Sequence, residues 1–68
     1  MTYARRIKEL RQQRGLTQRE LSAIVKVDFR TVSCWENERV EPNIRQLFAM
    51  AKYFDVTIDY LLGYTDIC

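Results

Sequence analysis

Only two residues, Lys26 and Val27, separate one short amphipathic segment from the start signal of the next. The stretch reads "TQRELSAIVKVDFRTVSCWEN", from Thr17 to Asn37. Thr17 and Glu20 have capping-box spacing, in which each side chain satisfies a backbone N–H at the other's position. Leu21, Ile24 and Val25 then form an apolar stripe at helical spacing. Asp28 is a good N-cap for a second helix running to about Glu36 or Asn37, which buries Val32 and part of Trp35. So short a link does not easily lay two helices antiparallel. It favours a sharp crossing, and that crossing constrains the rest of the fold.

The remaining segments add helices around this pair. A first helix spans about Tyr3 to Arg14, with Ile7, Leu10 and Arg14 on one face and Gly15 as its left-handed C-terminal cap. Asn43 and Gln46 repeat the capping-box spacing and open a helix from Ile44 to Phe54. Leu47, Met50, Ala51 and Phe54 face inward there. Thr57 caps a short fifth helix, "IDYLL", which Gly63 stops. One Pro and two Gly in 68 residues agree with helices joined by short links. The length permits one domain, 1–68, with the helix-turn-helix pair at about 17–37. The hydrophobic content of 47% suffices for an all-α globule, although a domain this small buries only about 60% of its unfolded surface.

Several function classes find no support. No apolar run approaches the roughly 18 residues of a membrane span, and "MTYARRIKEL" lacks a secretory signal's apolar stretch. A cytoplasmic protein with no membrane partner is expected. Cys34 and Cys68 form no metal-binding spacing, are too few for a disulfide scaffold, and are expected as reduced thiols. There is no His, so the commonest general base is missing. No enzyme, cofactor, metal site or small-molecule substrate is expected. Charge is uneven: residues 1–19 hold six basic groups against Glu9, or +5, whereas 20–41 sum to −2 and 42–68 to −1. That concentration suits a polyanion or, equally, a solvated helix face.

In order and spacing, "RIKELRQQRGLTQRELS", "VSCWEN", "EP" and "YFDVTIDYLLG" resemble the Cro and phage-repressor, or Xre-type, helix-turn-helix family. The resemblance covers about Ile7 to Gly63 and implies a compact five-helix, lambda-repressor-like DNA-binding domain. Leu21, Val25, Val27 and Val32 match its apolar positions. Two positions depart from it. Ser22 stands where the family prefers Ala, and Lys26 where a Gly usually takes positive φ, at a cost on the order of 1 kcal/mol.

The resemblance also implies site residues. The second helix of such a pair lies in the DNA major groove, and Phe29, Arg30, Ser33 and Cys34 match base-reading positions. Arg can pair with a guanine edge, Phe can pack on a thymine methyl, and Ser can donate or accept; Cys offers weak contacts only. Gln18 matches a backbone-binding residue, and Asn37, Arg39, Asn43 and Arg45 cluster at the connection flanking the groove, as phosphate ligands. Arg11 and Glu36 match positions that form a structural ion pair. Arg5, Arg6 and Lys8 are read as solvated charge or long-range attraction, not as contacts. From the residues alone, Phe29 is also a candidate core residue, Arg30 a candidate phosphate ligand, and Cys34 a plain surface thiol.

These features predict a sequence-specific regulator of transcription, a repressor acting as a homodimer on a palindromic double-stranded operator. Tyr60, Leu61, Tyr64 and Ile67 are the expected dimer contact, with simple capping of the monomer core as the other role for that helix. An antitoxin or restriction–modification controller is a rival within the class. A protein-interaction module that has kept the fold is a rival outside it, favoured by the modest +2 charge and by Glu36, Glu38 and Glu41.

Overall fold

The computed structural model describes residues 2–63, which form α1 (Thr2–Gln13), α2 (Gln18–Val25), α3 (Phe29–Glu36), α4 (Ile44–Phe54) and α5 (Ile58–Leu62). Helix starts follow the caps. The Thr17 hydroxyl accepts the Glu20 N–H at 3.1 Å, and the Glu20 carboxylate accepts the Thr17 N–H at 2.8 Å. Asn43 and Gln46 form the same reciprocal pair at 2.9 and 2.8 Å. Asp28 accepts the Arg30 N–H at 2.8 Å, and Thr57 the Tyr60 N–H at 3.0 Å. A cap of this kind contributes about 1 kcal/mol.

Helix ends are set by left-handed residues, and only some of these are glycines. Gly15 and Gly63 have φ of 68° and 84°, whereas Lys26, Glu38 and Asp55 lie at 59°, 60° and 58°. At the turn after α2, the Val27 N–H reaches back to the Ser22 carbonyl at 2.9 Å. The turn thus has the predicted geometry, with a lysine carrying the strained conformation. Ser22 is buried, and its hydroxyl donates to the Arg19 carbonyl at 2.6 Å. A small side chain tied to its own helix lets α2 and α3 pack closely.

The core takes Tyr3, Ala4, Ile7 and Leu10 from α1, Leu21 and Val25 from α2, and Leu47, Met50, Ala51 and Phe54 from α4. Val32 and Trp35 anchor α3 to it; Trp35 is fully enclosed rather than partly so. α3 packs on α1 and α2, and α5 closes the opposite side against α1 and α4. None of the helices among the described residues is long and apolar enough to cross a membrane.

Two expectations change. Leu61 is not a surface contact: it is wholly buried in the core. The five-residue α5 spends its inward position on the monomer, and Tyr60 is half-buried beneath the Arg6 guanidinium, 4.0 Å from the ring centroid. Tyr64 and Ile67, the other expected dimer residues, lie outside the described residues, as does Cys68. Arg6 is accordingly no simple solvated charge. Arg14, expected on one face with Ile7 and Leu10, is exposed. Its guanidinium lies 5.4 and 5.8 Å from the Tyr53 and Phe54 ring centroids and donates to the Phe54 carbonyl at 3.2 Å, at the C-terminus of α4.

Candidate nucleic-acid interface

α3 has two chemically distinct sides. Val32 and Trp35 point into the core. On the other side Arg30 is exposed, and Phe29, Ser33 and Cys34 are half-buried. Asp28 fixes the first turn and leaves its neighbours to project outward. Phe29 fits neither of its two readings cleanly. It is not in the core, yet the Arg19 guanidinium covers its ring at 4.0 Å from the centroid. The Arg30 guanidinium lies 5.9 Å from the same centroid. Cys34 is a free thiol.

The base of α3 is held by a charged network. The Arg11 Nε and Nη2 atoms donate to the two Glu36 carboxylate oxygens at 2.7 and 3.0 Å. Arg11 Nη1 also donates to the Leu16 carbonyl at 2.8 Å. The expected ion pair is thus present, and with side-chain exposures of 12% and 4% it is largely removed from water. The Gln18 amide donates to Glu36 Oε1 at 3.1 Å, a bond that motif spacing did not reveal. A carboxamide has two N–H donors, so one remains for an outside acceptor. Glu36 thereby orients Gln18 and, being neutralised by Arg11, adds no net repulsion toward an anion.

The connection between α3 and α4 is more divided. Asn37 folds back on α3, donating to the Ser33 carbonyl at 2.8 Å and to its hydroxyl at 3.3 Å. Asn43 uses its carbonyl oxygen to cap α4. Arg39, Asn43 and Arg45 are exposed. A cleft of about 340 Å³ brings Asn43, Arg45 and Gln46 against the turn at Val25, Lys26 and Val27. Lys26 therefore joins the cations near the α4 N-terminus, which sequence spacing had not suggested. Glu38 and Glu41 lie instead by Tyr3, whose phenol has its pKa raised by burial first, and then by Glu41 and Glu38. The Tyr3 hydroxyl donates to the Val40 carbonyl at 3.4 Å.

Arg11, Gln18 and Glu36 are thus brought together, as are Asn43 and Arg45, and Phe29 with Arg30. Arg19 and Lys26 are additions from the structure. The described residues contain no cluster of three or more His, Cys, Asp or Glu placed to hold a metal.

Comparison with known proteins agrees with this arrangement. A helix-turn-helix family profile matches residues 7–61. The HTH-type transcriptional activator BcrR of Enterococcus faecalis is 36% identical over 63 residues, covering 93% of this chain and 31% of that protein. The HTH-type transcriptional regulator ImmR of Bacillus subtilis is 32% identical, covering 93% of this chain and 50% of that protein. The chain thus spans half or less of the length of these two relatives. Among solved structures, the P22 c2 repressor in complex with a synthetic operator superposes with a TM-score of 0.88 at 31% identity, over 96% of this chain and 98% of that one. A transcriptional regulator from Listeria innocua gives 0.87 at 30% identity, over 93% of this chain and 59% of that one. With the profile spanning most of its length and the two-sided α3 in place, the chain belongs to the Xre-type helix-turn-helix family of DNA-binding transcription regulators.

Proposed function

We propose that the chain binds double-stranded DNA sequence-specifically, with the outer side of α3 in the major groove, and that two copies occupy a palindromic operator. One observation carries this reading: Val32 and Trp35 anchor α3 in the core and Glu36 ties it to Arg11 and Gln18, while its opposite side offers Arg30 to solvent. A firmly packed helix with an exposed guanidinium suits reading of a guanine edge. Gln18, Arg39, Asn43 and Arg45 act as phosphate ligands that set register. Asn37 serves in that role only by giving up its bonds to Ser33. The superposed P22 c2 domain is bound to operator DNA, which supports the same use of the surface here. Cytoplasmic location accords with that role. The relatives include an activator and a repressor, so the shared surface speaks for DNA binding and not for the sign of regulation.

The two-fold contact falls on α4. Ile44 and Phe48 lie one helical turn apart and are each 61% exposed, with Val40 beside them in the chain. Large apolar groups left in water mark an association surface. The exposed Glu41 and Arg45 have opposite signs, so this patch can face its own copy without like-charge repulsion.

Selection from random duplexes tests the reading. Enrichment of one palindrome, with two chains per duplex, is the expected result. Recovery of no sequence above background shifts the assignment to an interaction module.

A further inference from the structure

We propose that Arg19 is a ligand of the DNA phosphate backbone and that Phe29 is the platform holding it there. The inference rests on the DNA-binding reading of α3 and adds a residue pair that family resemblance does not assign. Arg19 is the second residue of α2, directly after Gln18, and it is exposed. Its guanidinium lies 4.0 Å above the ring of Phe29, the first residue of α3. The pair therefore bridges the two helices at the edge of the outward surface.

The chemistry favours a ligand over a staple alone. A guanidinium stacked on an aromatic ring uses its flat face and keeps its N–H donors in the plane. Those donors match a phosphate's oxygens. Stacking also confines a long side chain that otherwise samples many rotamers. No carboxylate among the described residues pairs with Arg19 or Arg30. Both guanidinium groups lie by one ring, at 4.0 and 5.9 Å, so positive charge is concentrated at the start of α3. Phe29 then acts as a positioning residue: the face of its ring that Arg19 covers is closed to a thymine methyl.

The test uses the full chain with two defined DNA duplexes, one selected for tight binding and one scrambled, with affinity for each measured over a salt series and a melting curve for each variant. Arg19→Ala is expected to make the plot of log affinity against log salt shallower by about one. It should weaken all duplex sequences alike. Arg19→Lys should keep the slope but bind several-fold more weakly. Phe29→Leu, which keeps bulk and removes the π-face, should also weaken binding several-fold, and Phe29→Tyr should restore it. An unchanged slope in Arg19→Ala, with the unmutated chain still binding DNA, overturns this assignment and leaves the pair a structural staple. Loss of discrimination between sequences, rather than uniform weakening, assigns Arg19 to base reading and overturns it too. If the unmutated chain binds no duplex, the DNA reading itself fails and takes this inference with it.

Discussion

Lys26 shows how one residue can carry both strain and charge. Its φ of 59° is a conformation glycine adopts freely and lysine does not. Lys26→Gly should therefore raise stability by up to about 1 kcal/mol, less whatever the freer unfolded chain takes back. Thermal melts decide the sign; a lower melting temperature means that Lys26 makes a stabilising contact across the cleft to the α4 N-terminus. Arg30, the proposed base reader, is a different case: it is exposed, and its contribution is expected in the complex and not in the fold. Arg30→Ala should lose roughly 1–3 kcal/mol on a selected operator and relax preference at one position per half-site. Equal weakening on a scrambled duplex makes Arg30 a phosphate ligand instead. Tyr3 predicts a pH effect. Its folded-state pKa is raised, so the folded state holds the phenolic proton more tightly than the unfolded chain. That contribution is present below about pH 10 and is lost as pH climbs through the raised value. Denaturant titrations at alkaline pH should show the decline, and Tyr3→Phe should lessen it.

Helix starts were legible in the sequence because a cap is a local device. Thr17, Asp28, Asn43 and Thr57 each bond to a backbone N–H two or three residues on. Helix ends were less so, since Glu38 and Asp55 adopt positive φ without the glycine that announces it. α5 illustrates a second limit. With Tyr60, Leu61 and Leu62 in a row, a five-residue helix has no stripe to show which side chain turns inward. The Gln18–Glu36 and Arg19–Phe29 pairs join different helices, and only packing reveals them. The Arg11–Glu36 pair was legible through resemblance, and its burial carries a consequence. Glu36→Ala leaves a nearly enclosed guanidinium without its carboxylate and should lower stability by about 3–5 kcal/mol. The double change Arg11→Met with Glu36→Leu should lose distinctly less, because no buried charge is stranded. Chemical denaturation of both variants checks this; equal losses imply that apolar residues cannot replace the network's geometry.

At the scale of the whole molecule, the large apolar residues left exposed among the described residues, Val40, Ile44 and Phe48, gather just before and in the first turns of α4. Phe48→Glu should leave the melting temperature nearly unchanged, since the side chain is largely in water. It should reduce sedimentation stoichiometry on a palindromic duplex from two chains to one at moderate concentrations. Two chains in the variant complex place the contact elsewhere. The enclosed Trp35 has a practical corollary. It is the chain's only tryptophan, and its indole N–H has no hydrogen-bond partner among the described residues. An excited indole enclosed by the apolar core emits at short wavelength, and unfolding into water shifts that emission to the red. Trp35 sits on the inner side of the helix whose outer side is proposed to meet DNA, so docking should leave the emission maximum in place. The molecule thus carries a built-in optical gauge of its folding that ignores its ligand, and stability can be read in the presence of DNA without a label.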